Sequence, residues 1–197
     1  NKDYYSMRFY ATDISRGPDG KFWVINDRTQ SPSGLGYAIE NRLTMNSVSN
    51  DLYPNVEILK MAKFIEGFKN MLKSLSSTNQ DNPLIALLTP GPLNETYFEH
   101  SYISSFLDLN LVQGEDLLVK NNQLWLKSLN GLRRVDTLIR RVDSQYCDPL
   151  ELRNDSKLGV AGLVNVIRKD NLSMINPIGV GILENIGLNP FMKNIAK

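Results

Sequence analysis

Residues 84–112 read Leu84-Ile85-Ala86-Leu87-Leu88-Thr89-Pro90-Gly91-Pro92-Leu93-Asn94-Glu95-Thr96-Tyr97-Phe98-Glu99-His100 and continue to Leu109-Asn110-Leu111-Val112. The apolar run Leu84 to Leu88 is short and closed by a Pro-Gly-Pro turn, which predicts a strand rather than a helix. Asn94 suits the N-cap of a helix over residues 95–107, with Phe98, Tyr102, Ile103 and Phe106 on one side. Leu109 to Val112 predicts the next strand. Strand, helix, strand in this order is a βαβ unit, so a parallel pair in a Rossmann-like layer and an α/β fold are expected.

Upstream, Met61, Phe64, Ile65, Phe68, Met71, Leu72 and Leu75 recur at spacings of three and four, predicting a helix over residues 60–75 with one apolar face. The polar segment 74–82 behind it is the best internal linker. Arg8 to Ile14 and Phe22 to Ile25 predict two strands around the turn Gly17-Pro18-Asp19-Gly20, hence an antiparallel pair, and Tyr37 to Met45 a short helix. Downstream, residues 117–120 and 123–127 flank Asn121-Asn122 as a hairpin, and Thr137 to Val142 predicts a strand. Val160, Leu163, Val164 and Ile167 have helical spacing, and a glycine-bearing turn follows at 176–181.

Charge and composition narrow the function classes. Lys+Arg number 22 against 21 for Asp+Glu, and a net charge of +1 gives no electrostatic case for nucleic acid or an anionic membrane. No apolar run approaches the ~20 residues that span a bilayer. Cys147 is the only cysteine, which excludes an intrachain disulfide and fits a reducing cytoplasm. With one Cys and one His, His100, a structural Cys/His zinc site within one chain is all but excluded, whereas a Mg²⁺ site built from oxygen ligands is not.

Several constellations are candidate sites. Gly34-Leu35-Gly36 lies between a strand and a helix, where backbone N–H groups hold phosphate; the competing reading is a tight turn. Ile39 stands where a dinucleotide fingerprint needs a third glycine or alanine, which argues against a dinucleotide binder. Asp13 and Asp27 share parity, so one register of the strand pair puts both on one face, although a tight turn leaves them several residues apart; capping carboxylates are the alternative. Thr89 to Thr96 follows a parallel-type strand, where ligands of open α/β sheets bind. His100 is either an acid–base group or a structural imidazole. Arg140 and Arg141 point to opposite faces, one suited to an anionic group and the other to Asp143 or Asp148. Cys147 has no activating base in view and reads as a buried or half-buried thiol.

Taken together, three groups of segments resemble the circularly permuted ATP-grasp proteins of type 2, relatives of glutathionylspermidine synthetase and glutathione synthetase. The first is Asp27-Arg28-Thr29-Gln30-Ser31-Pro32-Ser33-Gly34 with Gly36-Tyr37-Ala38 and Glu40-Asn41-Arg42. The second is Leu88-Thr89-Pro90-Gly91-Pro92 with Asn94 to His100. The third is Arg140-Arg141-Val142-Asp143, Cys147 to Arg153, Asp155-Ser156 and Gly159-Val160. The resemblance implies a Rossmann-like pre-ATP-grasp layer with an antiparallel strand pair from the ATP-grasp domain. It divides the chain into a partial ATP-grasp segment, residues 1–55, and a substrate-side domain, residues 56–197.

It also implies an ATP-dependent ligase that joins a carboxylate, through its acyl phosphate, to an amine or a thiol. By position, nucleotide phosphate falls to Arg28, Ser33, Gly34 and Gly36. A small-molecule or peptide substrate carrying a carboxylate falls to Asn94, Glu95, Thr96, His100, Arg140 and Arg141. Mg²⁺ falls to Asp13, Asp27 and Thr29, the last standing where the relatives carry asparagine. The resemblance covers only the middle of longer proteins and places the nucleotide-clamping lysines and the glycine-rich lid elsewhere. With Asn1 in first position, an excised piece, inactive by itself, is expected. The alternative is a non-catalytic module that binds a peptide or amino acid on an ATP-grasp-like scaffold, with recognition carried by residues 94–100 and Arg140 or Arg141.

Overall fold

A computed structural model describes residues 7–48, 61–76 and 82–195. At its centre is a parallel four-stranded sheet in the order β4-β3-β8-β9, made of Asn110–Val112, Ile85–Leu88, Thr137–Arg140 and Ser173–Ile175. Two further sheets flank it. One is the ribbon of β1 (Ala11–Arg16) and β2 (Phe22–Arg28); the other is the antiparallel meander of β5 (Leu117–Lys120), β6 (Gln123–Ser128) and β7 (Gly131–Arg134). The helices are α1 (Leu35–Val48), α2 (Ala62–Ser74), α3 (Tyr97–Leu107), α4 (Leu163–Arg168) and α5 (Met192–Ile195). The βαβ unit is therefore present as β3-α3-β4, with Ala86 paired to Asn110 and Leu88 to Val112.

Alternation along the strands builds two cores. Ala86 and Leu88 of β3, Leu138 of β8 and Met174 of β9 face Leu124, Leu126, Leu163 and Val166 of the meander and α4. Leu87, Ile139 and Ile175 face the other way, against Ile39 of α1, Ile65, Phe68 and Leu72 of α2, and Ile103 and Leu107 of α3. Both faces of the sheet are covered, which is why its strands read as unbroken apolar runs. α1 thus packs on the parallel layer. The domain boundary expected near residue 55 and most of the linker expected over 74–82 lie outside the described residues.

Element ends differ from expectation in small ways with local causes. α3 begins at Tyr97 because Asn94 folds a turn of its own, its Oδ1 accepting from the N–H (3.0 Å) and hydroxyl (2.7 Å) of Thr96. The β5–β6 turn holds Asn121 and Asn122 at φ 53° and 56°, a conformation asparagine tolerates. β1 starts at Ala11 rather than Arg8, since Asn176 holds both strand approaches: its Oδ1 accepts from the N–H groups of Arg8 and Phe9, each at 3.0 Å, and its Nδ2 donates to the carbonyls of Phe9 and Thr29, each at 2.5 Å.

Candidate functional site

Cavities open where β3 and β8 end. One of about 440 Å³ is lined by Ser33, Asn94, Glu95, Thr96, His100 and Arg141 among others. A second, of about 450 Å³, shares Ser31, Ser33 and Asp143 with it and adds Asp13, Arg28 and Glu184. A third, of about 360 Å³, is lined by Gln30, Asp143 and the 179–182 turn. Asp143 lines all three, so they form one branched cleft. It sits beyond the carboxyl ends of parallel strands, where open α/β sheets bind ligands.

The groups expected to receive anions are engaged by the protein itself. Glu99, with no exposed surface, accepts through Oε1 from the N–H of Gly34 (2.7 Å) and of Gly36 (3.1 Å). The start of α1 thus carries an internal carboxylate where phosphate was expected. Gly36 has to be glycine for this approach, because a Cβ there would lie 2.8 Å from Glu99 Cγ. Glu99 Oε2 stands 3.6 Å from Arg141 Nη2, and Arg141 in turn donates to the Pro32 carbonyl (2.5 Å) and to Ser33 Oγ (2.9 Å). α3, the loop after β2 and the end of β8 are joined through this one buried pair.

Arg140 does not line the cleft. Its guanidinium donates to three carbonyls, those of Asn176 (2.7 Å), Val142 (2.9 Å) and Pro177 (3.1 Å), and it is 1% exposed. The expected opposition of the two arginines holds, but neither forms an ion pair with Asp143 or Asp148. Asp148 instead accepts from the N–H groups of Leu150, Gly162 and Val164.

His100 is held between two hydroxyls, Thr89 Oγ1 at 2.9 Å from Nδ1 and Thr96 Oγ1 at 3.0 Å from Nε2. The tautomer follows from the partners. Asn94 Oδ1 takes a backbone N–H, so it is the carbonyl oxygen, and the Thr96 proton must go to it. Thr96 Oγ1 therefore accepts from Nε2–H, and Nδ1 accepts from Thr89, whose oxygen takes the Gly91 N–H at 3.2 Å. Burial, with the charge of Arg141 second, pulls the His100 pKa down to about 4. A neutral imidazole with both nitrogens engaged is built for structure rather than proton shuttling. Burial likewise pushes the Cys147 thiol up to about 11, and its sulfur lies against the carbonyls of Val142 and Asp143. That keeps it protonated and unreactive.

The expected magnesium trio does not assemble. A bulge between Asp13 and Ile14 leaves Ile25 without a partner and shifts the register, so Asp13 faces Asn26 and Asp27 faces Thr12. Without the bulge the two carboxylates would share a face; with it they point to opposite faces of the ribbon. Asp13 Oδ2 binds Arg28 Nη2 at 2.9 Å, and Asp27 accepts from the Tyr10 hydroxyl. Thr29 is 1% exposed, its hydroxyl within reach of the Val180 carbonyl (2.9 Å) and Glu184 (3.1 Å). Among the described residues no group of three or more His, Cys, Asp or Glu could hold a metal ion. The residues expected to hold Mg²⁺ do not converge, and of those expected to hold nucleotide phosphate Arg28 is paired with Asp13 and the Gly34 and Gly36 N–H groups hold Glu99.

The family model for circularly permuted ATP-grasp type 2 proteins matches residues 1–197. The chain belongs to this family. Its mixed α/β architecture, with a parallel sheet and antiparallel strand pairs, is consistent with membership. The chain is similar to the uncharacterized protein Rv2567 of Mycobacterium tuberculosis, 38% identical over 193 residues, covering 98% of this chain and 22% of the relative. A second protein of that organism, the uncharacterized Rv2411c, is 38% identical over 170 residues, 86% of this chain and 31% of the relative. The uncharacterized sll0335 of Synechocystis is 35% identical over 175 residues, 89% of this chain and 36% of the relative. The chain thus spans between about a fifth and about a third of the length of these relatives.

Within the ATP-grasp chain, Ser33, Asn94, Glu95, Thr96, His100 and Arg141 come together, whereas Asp27 and Arg140 stand apart from the cleft. Sequence reasoning missed Asp143 at the junction, and Glu99 and Glu184 as internal carboxylates. Glu99 gave one signal, its place in the first turn of a helix that opens on a ligand-type loop. Glu184 gave none, because its partners lie 155 residues away.

Proposed function

We propose that this chain is the substrate-side part of an ATP-dependent ligase that joins a carboxylate to an amine or thiol. The observation that carries the reading is the match of the ATP-grasp family over the whole chain. The cleft beyond β3 and β8 supports it: Ser31, Ser33, Thr96 and Asn94 offer neutral polar contacts around one cavity, and Asp143 and Glu95 offer negative charge to an ammonium group. The Glu99–Arg141 pair holds the cleft wall in place. The β1–β2 ribbon is the segment that an ATP-grasp domain would complete, and the nucleotide clamp and its metal ligands would come from the remaining length of such proteins. A cytoplasmic location, where ATP is available, goes with this reading. Among the described residues no helix is long and apolar enough to cross a membrane.

The test is ADP release by the full-length relative Rv2567 with ATP, Mg²⁺ and a panel of carboxylates and amines. Release that needs one carboxylate and one amine or thiol together is the expected result. Binding of an amino acid or peptide with no effect of ATP would replace this reading by the non-catalytic module, which the engaged anion-binding groups favour.

A further inference from the structure

The loop leaving β2 offers two pairs of backbone N–H groups, and each pair already holds a carboxylate. The pair at Gly34 and Gly36 holds Glu99, sealed from solvent and backed by Arg141. The pair at Thr29 and Gln30 holds Glu184: both N–H groups converge on Oε1, at 2.5 and 2.8 Å, with the Thr29 hydroxyl 3.1 Å away. Consecutive N–H groups aimed at one oxygen make an anion-binding concavity. Burial raises the Glu184 pKa, the N–H groups of Gln30 and Thr29 lower it, and the balance is downward.

The two carboxylates differ in what surrounds them. Glu184 is half-buried, lines the cavity of about 450 Å³ and makes no ion pair among the described residues. It belongs to the short 3-10 turn Val180–Glu184, a strap laid over the loop from far along the chain. The strap lies so close that a Cβ on Gly181 would come within 2.5 Å of Gln30 Cδ. The buried Arg140 guanidinium feels the Glu184 charge, and any oxyanion of similar size and charge meets the same cation and the same two N–H groups, with the Thr29 hydroxyl, now shared with the Val180 carbonyl, beside them.

We propose that Thr29 N–H, Gln30 N–H and the Thr29 hydroxyl form an oxyanion-binding site in which Glu184 is a stand-in. A carboxylate or phosphate group entering through the adjoining cavity displaces Glu184 and frees the strap. Exchange of one carboxylate for another leaves the charge at the donors unchanged; Asp13 in the same cavity is neutralised by Arg28, and Asp143, which also lines it, opposes entry of an anion. The barrier to occupancy is the high effective concentration of the tethered side chain, so the native protein binds free anions weakly. The site does not depend on the ligase reading, since a binding module would use the same donors.

Removing the competitor tests it. Acetate and inorganic phosphate are titrated, at constant ionic strength against chloride, into the native protein and Glu184→Ala. Tm and amide resonances are followed. The variant is expected to bind at least one of the two anions at least tenfold tighter than the native protein, with a rise in Tm and amide shifts centred on Thr29 and Gln30. A stronger response to acetate assigns the site to a carboxylate, a stronger one to phosphate assigns it to a phosphoryl group. If Glu184→Ala does not fold, Glu184→Gln is read in its place with at least threefold tightening expected, because it keeps a neutral acceptor for both N–H groups. A variant that responds to acetate and phosphate no more than to chloride overturns the proposal, as do shifts that leave Thr29 and Gln30 unmoved.

Discussion

The parallel layer and the β1–β2 ribbon are built on opposite principles. In the layer, apolar side chains fill both faces of the sheet and the charges buried at its carboxyl end are held in place: Arg140 among three carbonyls, Glu99 against Arg141. In the ribbon, Phe22, Trp23, Val24 and Ile25 follow one another along β2 and all are more than half exposed, so both faces are apolar and open. Two strands with no packed face are marginal by themselves. The ribbon is held at its root, where Asn176 joins the residues before β1 to the residue after β2 and passes its own carbonyl to Arg140. Stability and function are thus divided: the layer is a finished core, and the ribbon is a surface whose apolar residues gain nothing until something covers them.

That contrast can be broken most forcefully at the buried pair. Glu99→Ala leaves the Arg141 guanidinium buried without its carboxylate and strips two N–H groups of their acceptor, and urea denaturation should register a loss of about 3–5 kcal/mol. A loss under about 1 kcal/mol would mean the pair does not bind the cleft wall together. Next is Leu87→Ala in the layer, at 1% exposure, with an expected cost of about 3 kcal/mol. The same truncation at Ile25 of the ribbon, 57% exposed, should stay within about 0.5 kcal/mol. Equal costs at the two positions would erase the distinction between the regions.

Acid sharpens the contrast further. The folded protein holds His100 neutral well below its ordinary 6.5, so between pH 6.5 and about 4 the unfolded chain binds more protons. Stability from this group is full above pH 6.5 and is lost as pH falls towards 4, by about 3 kcal/mol. Glu184, titrating below its ordinary value, adds its loss only further down. His100→Gln should flatten the upper part of the curve, and an unchanged curve would place the acid-sensitive group elsewhere. The smallest effect belongs to the ribbon's own ion pair. Arg28 and Asp13 are each about half exposed, and a double-mutant cycle should find a coupling below about 1 kcal/mol.

The elements that could be read from the sequence are those whose cause is local. The β3-α3-β4 unit, the hairpin at Asn121-Asn122 and the apolar stripe of α2 each follow from periodicity and turn residues within about 30 positions. The cleft could be placed for the same reason, since a βα turn in a parallel layer is where ligands go. What could not be read depends on single registers or distant partners. One unpaired residue, Ile25, moves Asp13 and Asp27 to opposite faces, and a bulge leaves no trace in the residue pattern. The internal use of Gly34 and Gly36 depends on Glu99, 63 and 65 residues away, and Arg140 turns inward because the 176–177 carbonyls meet it there.

Calorimetric titration of Mg-ATP into this 197-residue chain and into the full-length relative Rv2567 tests the ligase reading most directly. The account predicts saturable binding by the full-length protein and none by the chain, because the residues expected to hold the metal do not converge and those expected to hold the nucleotide phosphate are engaged by the protein itself. Binding by neither protein would contradict the ATP-dependent reading and leave the cleft to an amino acid or peptide ligand.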